Sequence, residues 1–508
     1  MATWRDPVTF AEVWLRAVAS RADQTFLIFE GPGGHVAEWT YSEFDQQVAR
    51  VGATLREHGV EPGNAVHLAL ANSPTFVAVW LAAARLGAWI VPSDPMGRTP
   101  ELHGHIERTK PVVGICAAAR ADVYRAAAGH LPVIEVDEAD VDLVPFGEIE
   151  LGDWPVPSLH DRAAVMFTSG TTGLPKGVEV TQANYAFAGK VMAEAARLEP
   201  PHRQLVVLPL FHANAQYYSF ASAIWRGASV ALMHTFSASG FIEQARRHAA
   251  THASLFAAPM RMILARGLTD TAAPLTLEHC WYAQNISDEQ HATLTRAFGC
   301  KPRQLYGMTE TIPAVLTDDV QHPVPSSMGF VTPGCEVELH DAGRNVAPGE
   351  VGEIVHRSPH ATLGYHQDEE KTREAFRHGW FHSGDLGYVD ETGHLYVVDR
   401  KKDMIKTGGE NVASREVEEA IYQLDGVAEV AVFGVSHPRW VEAVAAAVVP
   451  KVGAALTPEA VIEHARSVLA GYKTPKYVVI VEALPKNPSG KIVKRQLREQ
   501  HADLAAPQ

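Results

Sequence analysis

The stretch that decides the fold reads MFTSGTTGLPKGV and runs from Met166 to Val178. It combines hydroxyl side chains, glycines and one cation, Lys176, in close succession. The apolar run from Ala163 to Phe167 predicts a buried strand that ends in a turn. Such a turn brings backbone N–H groups and hydroxyls together around phosphate oxygens. Pro175 stands where the Walker pattern requires glycine, so we interpret the stretch as a different phosphate loop, with a polar surface loop as the alternative.

Length and composition narrow the possible classes of protein. A chain of 508 residues is too long for one core, so two or more domains are expected. The net charge of −15 argues against nucleic-acid binding, because no basic excess is available to neutralise phosphates. The four cysteines form no C-x-x-C pair, which fits the reducing cytoplasm. The N-terminal residues predict a helix and no signal peptide, and no apolar run is long enough to span a membrane.

Helical and strand patterns alternate through the first 150 residues. A helix is predicted behind an N-cap at Ser42, and another over Phe76 to Leu86. Strands are predicted over Ala65 to Leu70 and Ala88 to Pro92. This alternation implies parallel pairing and a layered α/β fold.

The second motif, from Tyr306 to Glu310, reads YGMTE. Tyr306 offers a flat face for adenine, Thr309 a hydroxyl for the α-phosphate and Glu310 a hard oxygen ligand for Mg²⁺. Taken alone, the glutamate would be explained by helix capping. Its significance comes from its occurrence together with the phosphate loop.

Further polar motifs follow towards the C-terminus. Asp385 lies in HSGDLG, where a buried carboxylate could accept both ribose hydroxyls and where a simple turn is the alternative. The cation-rich run from Arg400 to Val412 would normally be a solvated face. Lys491 follows a Pro-Ser-Gly turn, so it is expected on a loop tip that can reach another domain; a surface lysine is the alternative.

Histidines receive two different interpretations. The span from Leu205 to Phe220 predicts a strand that runs into an aromatic turn bearing His212. His212 is either satisfied by the backbone or borders a ligand pocket, and its place at a strand end favours the pocket. His103 and His105 are expected on the surface.

The motifs resemble, in order and spacing over about residues 10 to 500, the adenylate-forming superfamily of acyl-CoA synthetases, luciferases and peptide-synthetase adenylation domains. The resemblance implies a large N-terminal domain, residues 1–401, of layered α/β subdomains with mixed sheets flanked by helices. It also implies a small, mobile α+β C-terminal domain, residues 402–508, that rotates about a hinge at Lys402. The turn from Trp281 to Ser287 departs from the pattern of most members and is similar to that of carnitine and crotonobetaine CoA ligases.

The resemblance also assigns roles to individual residues. The catalytic residues implied are Lys491, Thr309, Glu310, His212 and Lys406, with Glu310 as the Mg²⁺ ligand. Residues implied to bind the nucleotide or CoA are Thr168, Ser169, Gly170, Thr171, Thr172, Gly173, Lys176, Ala283, Gln284, Asn285, Tyr306, Gly307, Met308, Asp385, Val397, Arg400, Lys402, Gly408, Gly409 and Glu410. Residues expected around the acid are His212, Ala213, Asn214, Tyr217, Met260, Ala283, Met308 and Thr311 to Val315.

The resulting hypothesis is an AMP-forming acid–CoA ligase that uses ATP, Mg²⁺ and CoA. Small residues and two aromatics in the expected pocket favour a medium-sized or planar acid. Alternatives are transfer to a carrier protein or an amine, activation of another oxyanion such as nitrite, and a non-catalytic nucleotide-binding relative. A monomer or homodimer in the cytoplasm is expected.

Overall fold

The computed structural model describes residues 7–147, 153–168, 175–266, 274–284, 286–486 and 492–505. Contacts divide the chain into two compact units. The first comprises Met1–Val337 and His356–Trp380, and the second comprises Glu338–Val355 and Phe381–Gln508. The predicted hinge at Lys402 concerns a rotation, and it stays a prediction.

The helices confirm the alternating pattern and extend it over both units. They are α1 (Phe10–Arg21), α2 (Tyr41–Glu57), α3 (Pro74–Arg85), α4 (Thr99–Thr109), α5 (Ala121–Ala128), α6 (Gln182–Ala195), α7 (Ala221–Arg226), α8 (Phe241–Arg247), α9 (Ala257–Ala265), α10 (Asp288–Phe298), α11 (Glu369–Ala375), α12 (Ser414–Tyr422), α13 (Pro458–Val468) and α14 (Lys494–Gln500).

Most of the strands are short, with seven residues or fewer. They are β1 (Thr25–Glu30), β2 (Val36–Thr40), β3 (Ala65–Ala69), β4 (Trp89–Pro92), β5 (Val113–Ala117), β6 (Val133–Val136), β7 (Arg162–Thr168), β8 (Lys176–Thr181), β9 (Arg203–Val206), β10 (Ser229–Met233), β11 (His252–Phe256), β12 (His279–Ala283), β13 (Arg303–Tyr306), β14 (Leu316–Thr317), β15 (Phe330–Val331), β16 (Glu336–Asp341), β17 (Arg344–Asn345), β18 (Gly352–Arg357), β19 (Phe376–Arg377), β20 (Trp380–Val389), β21 (Leu395–Arg400), β22 (Ile405–Thr407), β23 (Glu410–Val412), β24 (Val427–His437), β25 (Val441–Pro450) and β26 (Tyr477–Ile480).

Two mixed sheets form the first unit. One has the strand order β15-β14-β13-β12-β11-β9-β10-β1-β2, and its central strands run parallel. The other has the order β6-β5-β3-β4-β7-β8, parallel except for the antiparallel hairpin of β7 and β8. Helix α3 is buried along its whole length and lies in the largest hydrophobic core. The predicted α/β fold class is confirmed.

The second unit is α+β. One of its sheets contains β17, β16, β18 and β20 in this order, with β21 beside β20. The other has the order β23-β22-β25-β24, with β26 parallel to β25. A separate apolar core of valines, isoleucines and alanines packs this second sheet against α12 and α13. Thr457 caps α13, and Pro458 is the first residue of the helix, where proline is tolerated.

The expected N-cap at Ser42 is wrong, because the observed cap lies two residues earlier. Its N-cap is Thr40, whose hydroxyl accepts the N–H of Glu43 while the Glu43 carboxylate accepts the N–H of Thr40. This reciprocal capping box satisfies two backbone donors at once, which a cap at Ser42 could not do with Glu43. Among the described residues, no helix is both long and apolar enough to cross a membrane.

Candidate active site

The two stems of the phosphate loop lie side by side. Strands β7 and β8 pair antiparallel, and Thr168 lies opposite Lys176 at the end of the ladder. The Thr168 hydroxyl also contacts the Lys176 carbonyl at 3.4 Å. The hairpin thus brings these two predicted phosphate ligands together. The other five predicted loop residues, Ser169, Gly170, Thr171, Thr172 and Gly173, fall outside the described residues.

Tyr365 links the phosphate-loop lysine to the predicted metal carboxylate. The Lys176 ammonium lies over the Tyr365 ring, 4.5 Å from its centroid. The Tyr365 hydroxyl donates a hydrogen bond of 3.0 Å to Oε1 of Glu310. Burial and the adjacent Glu310 charge both raise the pKa of Tyr365, so its hydroxyl remains a donor. Motif analysis missed Tyr365, since no spacing rule connects it to either partner.

A segment that we call the strap, residues 361–368, holds Tyr365 against β8. Val178 forms an antiparallel bridge with Tyr365, and the His366 N–H donates to the Gly177 carbonyl at 2.7 Å. A side chain at position 177 would be crowded, because a Cβ there would lie 2.9 Å from Val165 and 3.4 Å from His366. The strap therefore depends on glycine at this position of the hairpin.

The side chain of Glu179 also holds the strap in place. Its carboxylate accepts hydrogen bonds from Arg162 at 2.6 Å and His366 at 2.8 Å. Burial opposes ionisation of Glu179, yet the hydrogen bond from His366 and the charge of Arg162 together hold its pKa below the usual value. Its backbone carbonyl accepts from the Thr362 hydroxyl at 2.6 Å. The strap is thus tied to the strand that carries Lys176.

The YGMTE motif forms a tight turn at the end of β13. Its turn is closed by Thr311, whose hydroxyl accepts the Met308 N–H at 3.1 Å and donates to the Pro313 carbonyl at 2.6 Å. Gly307 packs so closely that a Cβ there would lie 2.8 Å from the Ala314 backbone. Glu310 is buried, and its carboxylate is oriented by Tyr365. A buried, oriented carboxylate is a suitable hard ligand for Mg²⁺.

Helix α4 supports the phosphate loop from outside the motif. Arg108 donates to the Pro175 carbonyl at 2.5 Å, and its guanidinium lies over the Phe167 ring. His105 is stacked on Phe167 with 3.9 Å between ring centroids. The expectation that His105 is a surface residue is therefore wrong: it is 6% exposed, and burial lowers its pKa to about 4. His103, in contrast, is exposed, as expected.

The segment around His212 differs from its predicted form. The strand β9 ends at Val206, and a π-helical segment, Asn214–Phe220, replaces the expected continuation. The half-buried His212 lies in the turn between them, where its backbone N–H donates to the Pro209 carbonyl at 3.1 Å. Asn214 is 5% exposed, and neither polar atom of its side chain has a hydrogen-bond partner among the described residues. A π-helical turn at this point aims side chains differently from a strand.

Three predicted nucleotide ligands, Ala283, Gln284 and Asn285, follow one another in the chain where β12 ends. Ala283 ends β12 and is half-buried. Gln284 is exposed and has a φ of 74°, an uncommon backbone conformation for a residue other than glycine. Asn285 lies outside the described residues. Their roles stay predictions.

The residues predicted to bind the ribose and to form the hinge lie in the second unit. Asp385 on β20 is paired in register with Arg400 on β21, and their side chains approach to 3.3 Å. Val397 pairs with Gly387 in the same ladder. Asp385 is buried, so its carboxylate is held in a defined orientation.

A short hairpin follows the predicted hinge. Lys406 lies in β22 and Glu410 begins β23, and both residues are exposed. Gly408 and Gly409 form the turn between them with φ values of 62° and 91°. Lys402 is exposed just before the hairpin, and Lys491 falls outside the described residues.

Comparison with known proteins decides the family. Residues 14–366 match the family of AMP-binding enzymes, and residues 416–491 match the AMP-binding enzyme C-terminal domain. The chain belongs to the AMP-binding enzyme family. Among related AMP-binding enzymes, crotonobetaine/carnitine–CoA ligase of Salmonella typhimurium is 30% identical over 510 residues, with 96% of this chain and 98% of the relative covered. Feruloyl-CoA synthase of an Amycolatopsis species is 36% identical over 470 residues, with 90% and 93% covered.

Solved structures of AMP-binding enzymes agree with this assignment. ATP-bound MatB from Rhodopseudomonas palustris has a TM-score of 0.88 at 26% identity, over 98% of this chain and 100% of that one. The o-succinylbenzoate CoA synthetase MenE from Bacillus subtilis, bound to its acyl-adenylate, has a TM-score of 0.85 at 26% identity, over 96% and 97%. This AMP-binding enzyme is an acid–CoA ligase that uses ATP to form an acyl-adenylate and then transfers the acyl group to CoA.

Proposed function

We propose that the acid activated by this ligase is planar and aromatic, of the hydroxycinnamate or hydroxybenzoate class. The observation that carries the proposal is Asn214, a buried amide without a hydrogen-bond partner among the described residues, in the segment where the acid pocket is expected. A buried polar group without a partner costs about 1–3 kcal/mol. A substrate hydroxyl or methoxyl oxygen that pairs with the amide would remove that cost when it binds.

The tyrosines that follow Asn214 in the same π-helical segment support a flat acid. Tyr217 is fully buried and Tyr218 is 5% exposed, so both rings are closely packed. A Cβ at position 307 would lie 3.1 Å from the Tyr218 hydroxyl, which shows how tightly the YGMTE turn approaches this aromatic wall. A narrow, aromatic-lined space favours a ring over a long flexible chain. The 36% identity to a feruloyl-CoA synthase points the same way.

A short trimethylammonium acid is the second candidate, because crotonobetaine/carnitine–CoA ligases are 30% identical to this chain. A quaternary ammonium group is recognised by carboxylates or by several aromatic faces. The residues expected to line the acid pocket include no carboxylate, and His212 and Tyr217 are the two aromatic residues among them, too few to enclose a quaternary ammonium group. The pocket composition therefore favours the aromatic acid.

The chemistry assigns a division of roles. An acid carboxylate oxygen attacks the α-phosphorus of ATP, the bond to the β-phosphate oxygen breaks, and pyrophosphate leaves. Both reactants are anions, so charge repulsion and positioning form much of the barrier. A lysine ammonium about 4 Å from the reacting oxygens contributes on the order of 4 kcal/mol at an effective dielectric of about 20, roughly a thousandfold in rate. We assign this role to Lys491, with Thr309 at the α-phosphate and Lys176 at the leaving pyrophosphate.

The carboxylate of Glu310 is a suitable ligand for Mg²⁺. Glu310 would hold the ion together with phosphate oxygens, since its carboxylate is buried and oriented by Tyr365. When bound, the ion supplies positive charge that offsets the charge on the phosphates. For the second half-reaction, we assign the pivot to Lys402 and the entry of the CoA arm to Lys406, Gly408 and Gly409, with His212 between the two chemical centres. Four free cysteines support a cytoplasmic location.

The deciding experiment is pyrophosphate release from ATP and Mg²⁺ with short aliphatic, trimethylammonium, benzoic and cinnamic acids, each with and without CoA. We expect turnover with hydroxylated aromatic acids that requires CoA for completion. Turnover with the trimethylammonium acids alone would overturn the proposed substrate class. Release that is accelerated by an amine, nitrite or a carrier protein in place of CoA would overturn the acceptor.

A further inference from the structure

We propose that Tyr365 is a positioning residue that fixes the Lys176 ammonium and the Glu310 carboxylate relative to each other. The inference rests on the proposed roles of Lys176 at the phosphates and Glu310 at Mg²⁺. It adds a residue from outside both motifs, on the strap, and assigns different functions to the ring and the hydroxyl of one side chain.

The ring contacts the cation. The Lys176 ammonium lies 4.5 Å from the centroid of the Tyr365 ring, within the range of a cation–π interaction. The lysine is attracted to the ring face without forming an ion pair with Glu310, so its positive charge remains available for phosphate. An ion pair with the carboxylate would neutralise both groups that the triphosphate and its metal require.

The hydroxyl contacts the anion. It donates to one carboxylate oxygen of Glu310 at 3.0 Å, and Glu310 is only 8% exposed. A partner that hydrogen-bonds one oxygen of a metal-ligating carboxylate orients the other oxygen towards the ion. Tyr365 would act on the metal through Glu310, without touching the metal itself.

The strap gives Tyr365 the rigidity that this role requires. Its backbone pairs with β8 at Val178, and the adjacent His366 donates both to the Gly177 carbonyl and to the Glu179 carboxylate. The Thr362 N–H donates to the Glu310 carbonyl at 3.3 Å. The strap is thus hydrogen-bonded both to the strand that carries Lys176 and to the backbone of Glu310. It couples two segments that are distant in sequence.

The test compares Tyr365→Phe with Tyr365→Leu in the full-length enzyme. Phenylalanine keeps the ring and removes the hydroxyl, whereas leucine removes both. The measured quantities are the dissociation constants of ATP in EDTA and of ATP in excess Mg²⁺, obtained by calorimetry in the absence of acid so that no turnover is required. Tyr472→Phe, a change at an exposed tyrosine, is the matched control.

For Tyr365→Phe we expect ATP binding in EDTA to stay within about twofold, while the Mg²⁺-dependent gain in affinity falls by about 10- to 100-fold, the usual effect of losing an outer-shell partner. Tyr365→Leu should in addition weaken binding in EDTA, because Lys176 loses the ring. An undiminished Mg²⁺ gain in Tyr365→Phe would overturn the inference.

Glu310→Gln separates the inference from the proposed function on which it rests. If Glu310→Gln abolishes the Mg²⁺ gain and Tyr365→Phe does not, Glu310 holds the metal and the role of Tyr365 is refuted. If neither variant changes the Mg²⁺ gain, the metal role of Glu310 is refuted as well. Thermal unfolding of each variant checks that the fold is kept, and the conservative phenylalanine variant keeps the test valid if the leucine variant fails to fold.

Discussion

The Asp399 carboxylate accepts two hydrogen bonds from Ser414, one from its backbone N–H and one of 2.7 Å from its hydroxyl. Both residues are buried, and the predicted pivot Lys402 lies between them in the chain. The hydroxyl of Ser414 also contacts the Lys494 ammonium, which pairs with Glu418 at 2.7 Å. A rotation about Lys402 that carried Ser414 away would have to break the contact with Asp399.

Removing this contact should loosen the pivot. Asp399→Ala deletes the charged acceptor of both Ser414 hydrogen bonds, each worth about 1.5–3 kcal/mol, and of the Arg400 N–H as well. Under native conditions, we therefore expect trypsin to cleave Asp399→Ala after Arg400, Lys401 or Lys402 at least about tenfold faster than it cleaves the unaltered protein. Asp425→Ala, which changes an exposed aspartate in the same unit, should leave the rate unchanged. Equal cleavage of both variants would show that the Asp399–Ser414 contact does not restrain this segment.

Replacing Lys491 should impair adenylation and spare thioester formation. Lys491→Ala removes the cation assigned to adenylation, so we expect pyrophosphate release to fall by about a thousandfold. Thioester formation from a supplied acyl-adenylate and CoA should remain within a few-fold of the original rate, because that step does not use the lysine. Lys486→Ala changes an exposed ion pair near the same loop and is the control. Loss of both half-reactions in Lys491→Ala would refute the division of roles.

Asn214→Leu should stabilise the free protein and weaken binding of the acid. The change removes a buried amide without a partner among the described residues, so we expect a gain of about 1 kcal/mol in the free energy of unfolding. The KM for a hydroxylated aromatic acid should rise about tenfold, with little change in kcat. Denaturant titration and steady-state kinetics measure the two effects.

Asn72→Leu provides the contrast. The Asn72 amide donates to the Leu208 and Met233 carbonyls and accepts the Leu210 N–H, so its replacement should destabilise the fold. If Asn214→Leu lost stability to the same extent, Asn214 would have a structural role and the proposed substrate contact would be wrong.

The free energy of unfolding should decrease as the pH falls, because several histidines are buried. Burial lowers the pKa of His105 and His252 to about 4 and that of His67 to about 3. Below pH 6.5 the unfolded chain binds protons that these folded histidines do not, so stability that is present above pH 6.5 is lost as the pH falls towards 4. Each such group contributes up to about 1.4 kcal/mol per pH unit to the slope.

His105→Asn should reduce that slope by about one proton, whatever its effect on the absolute free energy of unfolding. Denaturant unfolding at several pH values between 4.5 and 6.5 measures the slope. The exposed His35 gives a control in His35→Asn. An unchanged slope in His105→Asn would mean that His105 binds a proton in the folded protein as readily as in the unfolded chain.

Much of the architecture follows from local sequence. The apolar run before the phosphate loop forms β7, and the strand–helix alternation of the first 150 residues forms a parallel sheet. The capping of α2 shows where local analysis can fail while the information is still present. Thr40 and Glu43 have the spacing of a capping box, and that spacing overrides the propensity of Ser42.

The sequence by itself determined the α/β class, the strand that leads into the phosphate loop and the adenylate-forming motifs, because periodicity, caps and turn residues act over a few neighbouring positions. Only the tertiary structure decided that Tyr365 stands between Lys176 and Glu310, and that His105 is buried against Phe167. Those contacts join segments from different parts of the chain. Their formation depends on how strands pair and helices pack, and no local pattern specifies which distant side chains the packing brings together.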